Sequence, residues 1–216
     1  MWFCFSNAST TPIAEPQLTR SSHVITAHKS ATVLTLQSED GMNRLTRDCV
    51  ILLIHDLRSL TSSRSPKPLV IHGTPNFSAG ADLNEITKLT GPDAYEFSAM
   101  GQELMRAVAG FPVPVAAAIE GHCMGGGLDL ALACHRRIAA PSAVFGHRGA
   151  ALGLITGWGG TQRLPRLIGK GRALELFVAA EKLTAQRALE ISLIDAITDD
   201  PLAEALRQLT QHTDQP

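Results

Sequence analysis

Few cysteines, few aromatic residues and no strong excess of charge set the first limits on this chain. Its four cysteines show neither a C-x-x-C pair nor metal-ligand spacing, so we expect reduced thiols and no disulfide scaffold or metal centre. The formal net charge is −1 with both signs scattered, which disfavours a nucleic-acid-binding face and a polybasic membrane patch. The sequence also lacks an apolar run long enough to span a membrane.

The N-terminal residues lack the pattern of a secretory signal. Residues 1–5 are apolar, but they have neither a basic segment before them nor a long apolar region after them, so we expect a cytoplasmic protein. Residues 1–22 are rich in Ser, Thr and Pro and are predicted to form a flexible lead-in. Because 44% of the 216 residues are hydrophobic, residues 23–216 are predicted to form a single domain with one substantial core.

Strand and helix patterns alternate along the chain, which predicts a layered α/β fold. Runs of apolar and β-branched residues predict strands at 33–37, 69–73 and 115–119, and others around 137–140 and 143–145. Apolar residues at helical spacing predict helices at 50–60, 93–109, 128–134, 170–180, 184–192 and 201–210. Thr161 is predicted to cap one further helix.

Two glycine-rich turns, at residues 77–82 and 121–129, each follow a predicted strand and precede a helical pattern. Glycine lets the backbone come close to a ligand, and a helix that starts directly after a turn has free N–H groups at its positive end. The two turns could therefore aim two backbone N–H groups at one thioester oxygen, as an oxyanion hole. Plain strand–helix connections would show the same glycine pattern. Neither turn matches a phosphate-binding loop or a dinucleotide fingerprint.

Cys123 lies inside the second turn, where it could be taken for a nucleophile. Its neighbours Met124 and Gly125 supply no base. His122 and Asp129 stand near it in sequence, but sequence neighbours are rarely arranged as a catalytic triad. We therefore interpret Cys123 as a structural residue.

Four ordered blocks resemble the enoyl-CoA hydratase/isomerase (crotonase) family, from about residue 33 to residue 197. They lie at residues 77–83, 114–131, 145–166 and 193–197, and residues 42–45 resemble a further family segment near CoA. The resemblance implies a crotonase-like (ClpP/crotonase) α/β fold, in which a spiral of ββα repeats is surrounded by helices. It also implies that the ligand is an acyl-CoA thioester and that no other cofactor and no metal takes part.

The resemblance assigns roles to single residues. The backbone N–H groups of Ala81 and Gly126 would form the oxyanion hole. Three residues would lie along the CoA-binding turn: Asp82, Leu83 and Asn84. The family often has Lys at the position of Asn84. Gly157 would match a glycine that helps to place the water in hydratases, although it could equally lead into a helix.

Hydratases of this family use two glutamates, and neither is present here. The first position is Asp129, whose reach is shorter by roughly 1.5 Å; it could serve as a general base or complement a helix dipole. The second position is Gly149, which cannot transfer a proton. The nearest substitutes are His147 and Arg148. A histidine exchanges protons near neutral pH, but one beside a turn is more often structural.

The sequence therefore predicts an acyl-CoA thioester enzyme of the hydratase/isomerase type that stabilises a thioester enolate, with Asp129 as its acid/base. One carboxylate is enough to move a proton between the α and γ carbons, which favours isomerisation over hydration. The alternative is a catalytically impaired acyl-CoA-binding paralogue, because Gly149 replaces the second glutamate. A thioester hydrolase or decarboxylase that uses His147 is a third possibility.

The resemblance also bears on assembly. Members of the family usually form homotrimers or hexamers and carry further C-terminal helices that pack in the trimer and cover the acyl pocket. In this sequence only residues 201–211 follow the last matching block as a helical pattern. We therefore expect a shortened C-terminal helical region, with the oligomeric state left open.

Overall fold

The computed structural model describes residues 22–211, in which strands and helices alternate. The strands are β1 (Ser22–Ala27), β2 (Thr32–Gln37), β3 (Arg44–Leu45), β4 (Leu69–Gly73), β5 (Gly80–Ala81), β6 (Val115–Ile119), β7 (His122–Met124), β8 (Arg136–Ala139), β9 (Val144–Gly146), β10 (Leu183–Thr184) and β11 (Ala196–Ile197). The helices are α1 (Arg47–Thr61), α2 (Leu83–Ile86), α3 (Gly91–Ala109), α4 (Gly126–Ala133), α5 (Gly160–Ile168), α6 (Lys170–Ala179), α7 (Ala185–Glu190) and α8 (Pro201–Gln211). A 3₁₀ turn spans Gly149–Leu152.

A six-stranded sheet, in the order β1-β2-β4-β6-β8-β11, forms the centre of the fold. β1 pairs antiparallel with β2, and every later pair in this sheet is parallel. β10, β9 and β7 form a second sheet, and β3 pairs with β5 in a third. Parallel neighbours need long crossover connections, which here carry the helices.

The alternation of side chains along the strands gives the central sheet two apolar faces. Ile71 and Ala117 point toward the main core, which includes α1, α3 and α4. The neighbouring Val70 and Ala116 point the other way and pack against α8. Because both faces are covered, β4 and β6 are buried along their whole length, as expected of central parallel strands.

Several predicted elements are confirmed, two of them with unchanged bounds: the strands at 69–73 and 115–119. Helix α4 begins at Gly126, two residues earlier than predicted. The prediction that Thr161 caps a helix is wrong, because α5 begins at Gly160 and its cap is Gly159, whose φ of 111° suits glycine. Ser22, the last residue of the predicted lead-in, begins β1. The rest of that lead-in, residues 1–21, lies outside the described residues.

The structure also bears on membrane insertion. Within residues 22–211, none of the helices is long and apolar enough to cross a bilayer.

Candidate functional site

The two glycine-rich turns run side by side and are joined by backbone hydrogen bonds. Phe77 N–H donates to the carbonyl of Glu120 at 2.7 Å, and Ser78 N–H donates to the carbonyl of His122 at 2.9 Å. In the reverse direction, Met124 N–H donates to the carbonyl of Ser78 at 2.9 Å. These hydrogen bonds hold the first turn against the second in the way that neighbouring strands are held in a sheet.

Polar side chains hold the first turn in place. Asn76 Oδ1 accepts a hydrogen bond from His122 N–H at 2.8 Å. The hydroxyl of Ser78 donates to the carbonyl of Asn43 at 2.7 Å and accepts from Gly80 N–H at 3.0 Å. Asn43, in the segment that resembles a CoA-proximal stretch, is buried and thus supports the turn from behind. These bonds fix the direction in which Gly80 and Ala81 present their backbone.

Glycine is needed where the two turns touch. Gly80 has a φ of +93°, and a Cβ added there would lie 2.9 Å from the Gly126 nitrogen. A Cβ on Gly126 would lie 3.3 Å from the Ala81 nitrogen, and one on Gly127 would lie 2.6 Å from the Ser78 carbonyl oxygen. The absence of side chains lets the backbones approach this closely. The structure therefore brings together the backbone nitrogens of Ala81 and Gly126, the two predicted oxyanion donors.

Gly126 is the first residue of α4, and it follows the cap residue Gly125, which has a φ of 49° and no capping side chain. The first N–H groups of a helix have no partner within it, and the helix dipole makes this end positive. Asp129 N–H is the first to bond back, to the Gly125 carbonyl at 3.0 Å. An oxygen that gains negative charge beside Gly126 would be stabilised by this end of α4.

Closing the space between the turns is expected to destabilise the fold. In Gly127→Ala the new methyl group would sit 2.6 Å from the Ser78 oxygen and 2.7 Å from its Cβ, so the turns must separate. We expect a loss of about 1–3 kcal/mol in the free energy of unfolding, measured by chemical denaturation.

Gly171→Ala in α6 is the matched control, because a Cβ there meets nothing within 4 Å and alanine favours a helix. We expect this variant to be as stable as the wild type or slightly more so. Equal stability of the two variants would contradict the close contact at Gly127.

The predicted CoA-binding residues fall on a short helix beside the first turn. Asp82 is the N-cap of α2, and its buried carboxylate accepts a hydrogen bond from Asn84 N–H at 2.7 Å. This side chain therefore holds the local backbone. Leu83 and Asn84 are exposed. Of the three predicted residues, these two have side chains that are accessible from solvent.

Asp129 lies one helical turn after Gly126 and is only 1% exposed. The hydroxyl of Thr156 donates to its Oδ2. Its other oxygen, Oδ1, lies 3.4 Å from Nε2 of His147. Both carboxylate oxygens thus face side chains that come from the segment after β9.

Burial raises the pKa of Asp129 from 3.8 to about 7, because removal from water disfavours the charged carboxylate. The hydrogen bond from Thr156, the positive charge of Arg163 and backbone N–H groups of Gly160 and Trp158 pull the pKa down and limit this rise. A carboxyl with a pKa near neutrality can both accept and donate a proton at working pH, which is the property required of a general acid/base.

The two residues proposed as substitutes for the second glutamate point in opposite directions. His147 is 5% exposed and its ring packs against Phe177, with centroids 5.3 Å apart, whereas Arg148 is exposed. Burial lowers the pKa of His147 to about 4, so its imidazole is neutral near pH 7. Sequence reasoning missed that His147 faces inward. The alternation of β9 could have shown it, because His147 stands two residues after the buried Phe145.

Gly149, at the position of the second glutamate, begins the 3₁₀ turn and is crowded by the following loop. Leu154 N–H donates to the Gly149 carbonyl at 2.8 Å. A Cβ on Gly149 would lie 2.7 Å from the Leu154 carbonyl oxygen. This backbone therefore has no room for a glutamate unless the loop shifts.

Trp158 forms a buried wall beside the start of α4. A Cβ on Gly126 would lie 2.6 Å from its ring, and its Nε1–H donates to the Phe97 carbonyl on α3 at 3.3 Å. The adjacent Gly157 is exposed, and its carbonyl accepts a hydrogen bond from Ser98 Oγ at 3.0 Å. In this structure Gly157 connects α3 to the segment that leads into α5.

Cys123 is fully buried on β7. Burial raises the pKa of its thiol well above the usual range, so the thiol is neutral at physiological pH. Because the thiolate is the nucleophilic form, the burial of Cys123 supports the structural interpretation.

Comparisons with known proteins match this arrangement of elements. A family model described as enoyl-CoA hydratase/isomerase matches residues 26–215. The crotonyl-CoA hydratase of Syntrophomonas wolfei is 35% identical over 176 residues, which are 81% of this chain and 68% of that protein. The "Probable enoyl-CoA hydratase" of Bacillus subtilis is 46% identical over 130 residues, which are 59% of this chain and 50% of that protein.

Two solved structures are also similar. DspI of Pseudomonas aeruginosa superposes with a TM-score of 0.86 at 32% identity and covers 94% of this chain and 79% of that chain. An enoyl-CoA hydratase from Bacillus anthracis superposes with a TM-score of 0.85 at 32% identity and covers 89% of this chain and 77% of that chain.

Proposed function

Because the chain belongs to the enoyl-CoA hydratase/isomerase family, we propose that it acts on an enoyl-CoA thioester through a thioester enolate. The backbone N–H groups of Ala81 and Gly126 bind the thioester oxygen, and Asp129 moves the proton. Leu83 and Asn84 line the approach of CoA, and Gly157 lies at the edge of the acyl site.

The proposal is carried by one arrangement: two backbone nitrogens on converging turns, with a buried carboxyl of pKa about 7 one helical turn beyond them. Hydrogen bonds to the thioester oxygen stabilise the negative charge that appears there when Cα loses its proton. Such donors act strongly because they are already in place and shielded from water; removing one typically lowers the rate by roughly 10²–10³.

The proton transfer is balanced within this site. The Asp129 carboxylate takes a proton from Cα, and the electron pair of the C–H bond moves into the enolate, whose oxygen is held by Ala81 and Gly126. Return of the proton to Cγ completes a double-bond isomerisation and restores the carboxylate. This reaction needs one acid/base, which fits a site in which Gly149 supplies none and leaves no space for another side chain.

Hydration is the second candidate, because both curated relatives are named as hydratases. Addition of water needs one group that accepts the proton of water and one that delivers a proton to Cα. Asp129 alone provides one of these at a time, so hydration depends on a second proton-holding group.

The test is turnover of crotonyl-CoA and of a 3-enoyl-CoA by the purified protein, followed by the absorbance of the conjugated thioester. Turnover of the 3-enoyl-CoA supports isomerisation, and loss of absorbance from crotonyl-CoA supports hydration. Binding of both thioesters without turnover of either would contradict the proposal and favour an acyl-CoA-binding paralogue that has lost its chemistry.

A further inference from the structure

We propose that the buried His147 is the hydrogen-bond partner that positions Asp129 and controls how readily that carboxyl takes up and returns a proton. The inference rests on the proposed function, since it concerns how the same site holds and returns a proton. In this arrangement Asp129 is the group that meets the substrate, and His147 is a positioning residue that acts through it.

The geometry singles out one atom on each side chain. Asp129 Oδ1 and His147 Nε2 lie 3.4 Å apart, and the two side chains are 2% and 4% exposed. Within residues 22–211, neither atom has a hydrogen-bond partner. A buried polar atom without a partner is costly, and these two face one another at slightly more than hydrogen-bond distance. Shortening this distance by a few tenths of an ångström would bring them within hydrogen-bond distance.

Further contacts hold the two side chains in place, and the backbone N–H groups of Gly160 and Trp158 also act on the Asp129 carboxylate. Thr156 occupies Asp129 Oδ2, and Phe177 packs against the His147 ring. The two rings are tilted by 48° and their centroids are 5.3 Å apart, so the imidazole is restricted in its rotation. The pair is therefore held in one relative orientation by groups on two further segments.

The charged and titratable groups around the pair come from neighbouring elements. Arg163 on α5 faces Asp129, and its positive charge favours the carboxylate. The negative charge of Asp129 helps to raise the pKa of Cys123 on β7, so this thiol stays neutral. Arg148, the next residue after His147, is exposed. His147 is thus the titratable side chain that contacts the free oxygen of Asp129.

The pair can take up and release one proton while the His147 imidazole stays neutral. When Asp129 is a carboxylate, neutral His147 donates its Nε2–H to Oδ1. When Asp129 has taken a proton from Cα on Oδ2, His147 keeps its own proton and its Nε2–H still donates to Oδ1.

The experiment compares the pH dependence of kcat/KM for wild type, His147→Leu and His147→Gln, with the enoyl-CoA that the wild type turns over. In the wild type, activity falls on the acid side as Asp129 becomes protonated. In His147→Leu the Nε2–H beside Oδ1 is removed, the carboxylate is less stable, and this limb moves to higher pH by about one unit. In His147→Gln the amide can still donate, so the shift is smaller.

His72→Gln is the matched control. His72 is also buried and its Nδ1 also lacks a partner among the described residues, but it lies on β4 in the central sheet. We expect the acid limb of the kcat/KM profile of His72→Gln to coincide with that of the wild type. If His147→Leu loses activity in parallel at every pH without a shift of the limb, His147 has only a structural role and the inference is wrong.

A second readout does not depend on turnover. The ¹³C resonance of the Asp129 carboxyl in wild type and His147→Gln should titrate with different midpoints, and the ¹⁵N resonances of His147 in the wild type should change as Asp129 titrates. If the wild type turns over no thioester but shows this coupling, the proposed function fails and the pair stands. If His147 does not respond when Asp129 titrates, the pairing is refuted even in an active enzyme.

Discussion

Asp129→Asn is expected to lower kcat for an enoyl-CoA by roughly 10²–10⁴, the usual contribution of a positioned acid/base. Asparagine has nearly the same shape and can still accept the Thr156 hydroxyl, so the fold should persist. The carboxyl is buried behind the two turns, so affinity for a non-reacting acyl-CoA should change little. The measurement is kcat alongside the dissociation constant of that acyl-CoA.

Asp199→Asn provides the control, because this carboxyl is exposed and lies far along the chain, before α8. It should leave both quantities as in the wild type. Full activity of Asp129→Asn would mean that the carboxyl only complements the positive ends of α4 and α5, and the assignment of Asp129 as the acid/base would be wrong.

Gly126→Pro is expected to reduce turnover by roughly 10²–10³ more than Gly126→Ala does, because proline removes the N–H of one oxyanion donor. Proline is well tolerated at the first position of a helix, which is where Gly126 stands in α4. Both variants add a Cβ that meets the Trp158 ring. Their ratio therefore reports the replacement of the N–H by the proline ring, while Gly126→Ala alone reports the crowding by Trp158.

The two variants should bind an acyl-CoA with similar affinity and differ in kcat. Loss of a donor that acts on the enolate mainly lowers kcat, whereas crowding by Trp158 mainly weakens binding of the acyl chain. Equal kcat values for Gly126→Pro and Gly126→Ala would contradict the oxyanion role of Gly126.

Much of the fold was predictable from the sequence, because its main strands are buried on both faces. The bounds of β4 and β6 follow from continuous apolar runs, and the predicted crotonase-like α/β fold is confirmed by the family match and by the superposed hydratase structure. The strand β1 was missed. It is an edge strand whose Val24 and Ile25 remain exposed, so it needs no buried apolar face. The strands β3 and β5 have two residues each, too few for any periodicity.

The candidate site was also predictable only in part. The glycine turns and Asp129 could be found because they form contiguous motifs with recognisable spacing. The contact of Thr156 with Asp129 could not, because it joins residues 27 positions apart through a loop that has no periodic pattern. The crowding of Gly149 by the Leu154 carbonyl is likewise a property of backbone packing, which the identity of the residues does not reveal.

The most direct test of the central claim is hydrogen exchange at Cα of a saturated acyl-CoA, such as butyryl-CoA, in D₂O, followed by proton NMR. Exchange requires removal of the α proton and a stabilised enolate, but neither a double bond nor a second acid. We predict that the wild type exchanges the α protons of the bound thioester, and that exchange falls sharply in both Asp129→Asn and Gly126→Pro. A wild-type protein that binds butyryl-CoA but leaves its α protons unexchanged would contradict enolate chemistry at this site.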